Sequence, residues 1–243
     1  MTRAITKTRE DPSEVIVKRV FSDLSVETEK DTLAIEEPLE IRIGFYPEGK
    51  FETRAISITM RTPGDDFNLA AGFLFTEGII GSAEEISDIK YCGKIGQPKN
   101  TVRVDLARNT QVDFKKLERH FYTTSSCGVC GKSSIEALST GAQPVANNGF
   151  QISNTFDLHS MPGLLRKSQS VFDETGGLHA AGLFDREGNL IDVMEDVGRH
   201  NAVDKLIGAQ LLKKNIPLDD NILFLSGRAS FELVQKAVMA QIP

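Results

Sequence analysis

The spacing of apolar positions changes twice along the chain. Val15–Phe21 and the longer run Asp31–Tyr46 alternate apolar with polar residues, with Leu39, Ile41 and Ile43 set between charged neighbours. That period of two predicts half-buried strands. Pro47-Glu48-Gly49-Lys50 is a turn signal and Phe51–Arg61 resumes the alternation, so a strand–turn–strand hairpin is expected. After Thr62-Pro63-Gly64 the spacing lengthens to three or four residues. Phe67, Ala70, Ala71 and Leu74 then predict one face of a helix that Asp65 or Asp66 caps and Gly78 ends. Glu84–Ile89 reads as a short helical or irregular piece. Lys90–Ile95 and Thr101–Leu106 read as strands about a Gly-Gln-Pro-Lys-Asn turn, with Cys92 a small hydrophobe buried in the first.

The second half has a different grammar. Residues 107–122 form a charged connection, and Ser133–Leu138 predicts a short helix. Asp157 caps a predicted helix running through Met161 to Phe172, with Leu164, Leu165 and Val171 inward and Gly176-Gly177 closing it. Leu178–Asp185 and Asn189–Met194 predict a hairpin about Arg186-Glu187-Gly188. Beyond it Ala202, Leu206, Ala209 and Leu212, with Val203 and Ile207 beside them, mark a helix ended by Asn215 and Pro217. Ile222–Leu225 is apolar throughout and reads as a buried parallel strand, followed by a helix over Phe231–Ala240. Hairpin, helix, strand and helix together predict an α/β layered sheet. A crossover helix normally delivers the chain to a further strand, so the sheet is expected to be one unit short, with the chain either C-terminally truncated or its last helix docked without a successor.

Composition narrows the classes of function. The chain has 243 residues, 40% of them hydrophobic and 26% charged, which suits one large or two modest globular domains. A net charge of −6 argues against general binding to nucleic acid or to anionic membranes. No apolar run approaches the roughly 20 residues that span a bilayer, and the polar, basic start of residues 1–14 reads as a mobile arm without a secretory signal. Three cysteines make no disulfide framework, so a reducing cytoplasm is the expected location.

Two of those cysteines, Cys127 and Cys130, stand in a C-x-x-C spacing within Thr123-Thr124-Ser125-Ser126-Cys127-Gly128-Val129-Cys130-Gly131-Lys132. The Ser, Thr and Gly residues around them predict a solvated loop. Amide groups at the start of the following helix and the Lys132 ammonium would stabilise a thiolate there. The residues alone leave open half a zinc site, a dithiol redox pair, a sulfur-carrying thiolate, or a purely structural role. Other candidate chemistry lies at element boundaries: His179 before a strand, Glu195 to Asn201 between a strand and a helix, and Ser226-Gly227-Arg228 after the last apolar strand. Ligands bind at such strand ends in open α/β sheets, where helix N-termini and guanidinium groups hold phosphate oxygens. The competing reading is structural: Asp196 or Asn201 as helix caps and Arg199 in a surface ion pair. No dinucleotide fingerprint or P-loop is present. Cys127, Cys130 and His179 resemble a zinc-deaminase ligand set, but His179-Ala180-Ala181 lacks the glutamate of H-x-E and the cysteines precede the histidine, so no metal site is assigned.

The cysteine loop, Gly177-Leu178-His179-Ala180-Ala181-Gly182-Leu183, Glu195-Asp196-Val197-Gly198-Arg199-His200-Asn201-Ala202-Val203-Asp204-Lys205 and Ser226-Gly227-Arg228 together resemble the FdhD/NarQ family, from about Glu37 onward. That resemblance implies an accessory sulfurtransferase of formate dehydrogenase. Such a protein takes sulfur from a cysteine desulfurase and passes it to the molybdenum cofactor bis(molybdopterin guanine dinucleotide), bound as acceptor with no resident cofactor. It further implies a homodimer serving apo-formate dehydrogenase. The implied fold is α/β, α+β overall: a smaller N-terminal α+β domain (1–122) and a C-terminal cytidine-deaminase-like α/β/α layered domain (123–243). Cys127 matches the persulfide position and Cys130 its partner in the loop; His179, Arg199, His200 and Arg228 become the candidates for the cofactor's phosphates and guanine. The alternatives are a molybdenum-cofactor chaperone without covalent sulfur chemistry, and a zinc or dithiol redox module.

Overall fold

The computed structural model describes residues 13–93, 99–112, 143–145, 149–153 and 157–243. The predicted cysteine loop and the helix after it lie outside the described residues. Within them the fold is a mixed α/β arrangement of three sheets and five α-helices.

The alternating runs form strands as expected. β1 (Ser13–Val20) and β2 (Val26–Leu33) make an antiparallel ribbon separate from the other sheets. β3 (Glu37–Phe45) is the spine of a sheet ordered β4-β3-β6-β5, with β4 at Glu52–Arg61, β5 at Ile86–Tyr91 and β6 at Thr101–Leu106. β3 is antiparallel to β4 and parallel to β6. Its apolar positions, Leu39, Ile41 and Ile43, are fully buried, and Val102 and Val104 of β6 lie beside them. The long run expected over Asp31–Tyr46 is thus divided between β2 and β3. The piece expected to be helical or irregular over Glu84–Ile89 is mostly β5, preceded by a short 3-10 turn at Ala83–Glu85. Cys92 lies just past β5, where it is half-buried and its N–H donates to the Thr101 carbonyl at 2.8 Å; it is not the buried strand cysteine expected.

α1 (Asp66–Thr76) covers the inner face of this sheet. Gly78 ends it in the left-handed conformation (φ 69°). The N–H groups of Gly78 and Ile79 return to the carbonyls of Phe75 and Leu74 at 2.9 and 2.8 Å, which satisfies carbonyls that the helix end leaves open.

The third sheet is ordered β8-β7-β9, from β7 (His179–Phe184), β8 (Leu190–Asp196) and β9 (Ile222–Leu225). Alternate residues of β7 face opposite layers. Ala181 and Leu183 join the main core with Ala202, Val203 and Leu206, whereas Ala180 and Phe184 pack with Met161 and Leu165 in a second cluster. The helices of these layers are α4 (Arg199–Leu212) on one face and α2 (Met161–Lys167) on the other. The helix expected through Met161 to Phe172 is broken: Asp157 accepts from the His159 N–H at 2.9 Å to start a 3-10 turn, α2 follows, and α3 (Ser170–Thr175) is separate. β9 also corrects an expectation. It runs in the same direction as β8, but its hydrogen-bonded neighbour is β7, to which it is antiparallel, and its residues are half-buried. An apolar run of four residues does not specify which strand it will pair with.

α4 is buried from Asn201 through Leu211, so a second apolar environment lies behind the expected stripe. That environment is α1. A Cβ built on Gly72 of α1 would lie 1.9 Å from the Asp204 carbonyl oxygen, and one on Gly208 of α4 would lie 1.9 Å from that of Asn68. The helix backbones therefore touch. One core draws Leu39 to Leu106 and Ala181 to Ile242 together across this contact. α5 (Phe231–Met239) closes the bundle: Lys236 donates to Asp204 at 2.9 and 3.0 Å, to Thr76 Oγ1 at 2.9 Å and to Glu77 at 3.1 Å. Burial opposes the charge on Lys236, but the carboxylates of Asp204 and Glu77 outweigh it and hold the ammonium above the ordinary lysine value.

A methyl group at Gly208 must push two helix backbones apart. Gly208→Ala should destabilise the fold by about 3 kcal/mol in urea denaturation. Gly163→Ala in α2, where an added Cβ meets nothing within 4 Å, should be neutral or slightly stabilising. Equal stabilities for the two variants would contradict the close crossing.

Candidate functional site

Four chain segments converge at one end of the β8-β7-β9 sheet. β8 and β9 both finish there, β7 begins there, and α4 starts with only two residues between it and β8. His179 opens β7 opposite Asp196, the last residue of β8. Past the end of β9, Ser226 still binds β7, its N–H donating to the Ala180 carbonyl at 3.0 Å and its Oγ accepting from the Ala180 N–H at 2.8 Å. This brings Gly227 against the imidazole: a Cβ there would lie 3.1 Å from His179 Nδ1 and 3.9 Å from Arg199 Cδ. A side chain there would ask the His179 ring to give by a few tenths of an ångström and would meet Arg199 in ordinary van der Waals contact.

The polar residues of the 195–205 segment divide into two groups. The first holds the fold together. Glu195 accepts from the N–H groups of Val171 and Phe172 at 3.3 and 3.0 Å, which caps the first turn of α3. Asp196, fully buried, accepts from the N–H groups of Gly198 (2.8 Å) and Thr62 (3.2 Å) and from Asn201 Nδ2 (3.0 Å), and pairs with Lys205 at 2.7 Å. Asn201 and Lys205 in turn donate to the carbonyls of Met60 and Thr62 at 2.8 and 2.9 Å. Each group is satisfied within the protein, as burial of a charge requires. The expectation that Asp196 or Asn201 acts as a helix cap describes only part of this. Asp196 binds an amide at the start of α4, whereas Asn201 bridges to β4.

The second group, Arg199 and His200, is half-buried at the sheet end. Arg199 and His179 both lie beside Gly227. His200 Nε2 lies 3.0 Å from Glu232 Oε2 and 3.4 Å from Ser230 Oγ. Burial, and then the positive charges of Lys236 and Arg199, push the His200 pKa down to about 4. Arg228 is exposed at the rim beyond Gly227. Of the six residues expected at the site, the structure therefore gathers His179, Arg199 and His200 and sets Arg228 nearby, while Cys127 and Cys130 lie outside the described residues. Glu232 and Ser230 were missed as contributors. The available signal was the match of His200 and Asp204, four apart on α4, to Glu232 and Lys236, four apart on α5.

Among the described residues no group of three or more His, Cys, Asp or Glu side chains is placed to hold a metal ion. No helix among them is long and apolar enough to cross a membrane. His179, Arg199 and Arg228 could hold an anionic ligand at the ends of β8 and β9, beside the uncharged His200 imidazole.

These features define a mixed α/β protein with a cluster of histidine and arginine side chains at the end of a small layered sheet. The chain belongs to the FdhD/NarQ family, whose model matches residues 34–243. It is 50% identical over 226 residues to the sulfur carrier protein FdhD of Streptomyces avermitilis, covering 91% of this chain and 77% of that one. It is 46% identical over 235 residues to the sulfur carrier protein FdhD of Mycobacterium tuberculosis, covering 93% and 82%. The fold matches the crystal structure of a candidate formate dehydrogenase accessory protein from Desulfotalea psychrophila, with a TM-score of 0.67 at 24% identity, over 96% of this chain and 82% of that one.

The depressed His200 pKa has a measurable consequence. Between pH 6.5 and 4 the unfolded chain binds a proton that the folded chain refuses, so stability falls as pH falls through that window. Taking the protein from pH 7 to pH 5 should cost about 1–2 kcal/mol more in the parent protein than in His200→Gln, read from urea denaturation at both values. An identical pH dependence in the two proteins would refute the half-buried, uncharged imidazole.

Proposed function

We propose that this protein is a sulfur carrier that accepts persulfide sulfur from a cysteine desulfurase and delivers it to bis(molybdopterin guanine dinucleotide) for a formate dehydrogenase. The observation that carries this reading is the close similarity, over about nine-tenths of the chain, to proteins named as sulfur carriers, combined with the C-x-x-C pair in the sequence. The likeness to a candidate formate dehydrogenase accessory protein supports the choice of enzyme served.

In this scheme the Cys127 thiolate attacks the outer sulfur of a donor persulfide. A bond forms between Cys127 and that sulfur, the donor S–S bond breaks, and the donor cysteine leaves as thiolate, so no net oxidation occurs. Cys130 completes delivery by attacking Cys127 at the inner sulfur. A Cys127–Cys130 disulfide forms, and the outer sulfur leaves as hydrosulfide carrying the electron pair that the two thiols lose. His179, Arg199, His200 and Arg228 bind the acceptor cofactor at the end of the β8-β7-β9 sheet. The layering of α2, that sheet and α4 supports a relationship of the C-terminal half (123–243) to cytidine deaminases, with residues 1–122 as the accessory α+β domain. A cytoplasmic homodimer meeting a desulfurase and apo-formate dehydrogenase in turn completes the reading.

Intact-mass spectrometry after incubation with a cysteine desulfurase and cysteine tests it. The protein should gain about one sulfur mass, removable by thiol reductant and lost in Cys127→Ala. Cofactor binding without any mass gain would instead make the protein a cofactor chaperone.

A further inference from the structure

α4 and α5 meet through two matched rungs. His200 and Asp204 face Glu232 and Lys236, each pair four residues apart on its own helix. The Asp204–Lys236 rung is buried, with Nζ–O distances of 2.9 and 3.0 Å, and it sets the register of α5 on α4. That register places the Glu232 carboxylate 3.0 Å from His200 Nε2.

We propose that Glu232 is a positioning residue that fixes the tautomer of His200, so that His200 serves the site as a hydrogen-bond acceptor through Nδ1 and not as a cation. This deepens the reading of the sheet end as the cofactor site and rests on it. A carboxylate can only accept a hydrogen bond, so Nε2 must carry the hydrogen that points to it. The ring is surrounded by Glu232 and Lys236 from α5, Arg199 from α4, Glu77 after α1 and His179 from β7. Burial together with the neighbouring Lys236 and Arg199 charges keeps it neutral at physiological pH. A neutral imidazole with hydrogen on Nε2 has a lone pair on Nδ1.

His200 therefore leaves the phosphate-binding set expected from its sequence position. Arg199 and His200 are consecutive residues at the start of α4, one carrying a guanidinium and the other an acceptor nitrogen. A ligand recognised by that pair offers an anionic oxygen to the first and an N–H or O–H to the second. The guanosine diphosphate portion of a molybdopterin guanine dinucleotide has both.

Long-range ¹H–¹⁵N spectra of the full chain with ¹⁵N-labelled histidine test the proposal at pH 7. With four histidines in the sequence, His200→Gln assigns the signal. The parent protein should show the neutral form with hydrogen on Nε2. Glu232→Ala should shift the population toward hydrogen on Nδ1 and weaken binding of guanosine diphosphate about 5-fold. Glu232→Gln, whose amide oxygen still accepts, should keep both properties. Imidazolium or Nδ1–H signals in the parent protein overturn the proposal, a reading that stands even if Glu232→Ala does not fold. So does an unchanged tautomer in Glu232→Ala, and so does failure of the parent protein to bind guanosine diphosphate. None of these readouts involves sulfur, so absence of the persulfide mass gain with the expected spectra would overturn the sulfur-carrier reading alone.

Discussion

The contact between α1 and α4 governs this structure. Gly72 and Gly208 let the two helix backbones touch, with no room for even a methyl group at either position. The approach of the main chains has a direct electrostatic consequence. It buries the carboxylate of Asp204 between the helices, where an ion is stable only if a partner supplies charge and hydrogen bonds together. Lys236 of α5 does so, and it also binds Thr76 and Glu77 at the end of α1. One close crossing thus commits three helices to a single arrangement.

The candidate site depends on that arrangement at one remove. α4 begins where β8 ends, so the helix that crosses α1 also delivers Arg199 and His200 to the sheet end. α5, held in register by Lys236, delivers Glu232 to His200. A second buried network, centred on Asp196 with Asn201, Lys205 and Thr62, ties the start of α4 to the end of β4. Rigid support of this kind fixes the positions of Arg199 and His200 at the sheet end.

The 195–205 segment shows how a single dense motif serves two purposes. Glu195, Asp196, Asn201, Asp204 and Lys205 are spent on caps, amides and buried pairs within the protein. Arg199 and His200 remain at the site. Both groups are polar residues at an element boundary, and nothing in their order distinguishes them. The distinction is burial against a specific neighbour, which depends on strands and helices more than a hundred residues away in sequence.

The chain's own pattern determined much of the local structure. Period-two alternation located β3, β4 and β6; spacing of three to four located α1 and α4; Gly78 and Gly176 marked helix ends. The same sequence identified His179, Arg199, His200 and Arg228 as boundary residues, and its motifs identified the family. These features are legible because side-chain period and backbone conformation are properties of neighbouring residues. Tertiary structure decided the rest. It pairs β9 with β7, divides the helix before β7, buries α4 on both faces, and sets Glu232 against His200 and Gly227 against His179 and Arg199. Each of these is a contact between residues distant along the chain, and its energy comes from desolvation and close approach that only the packed molecule creates.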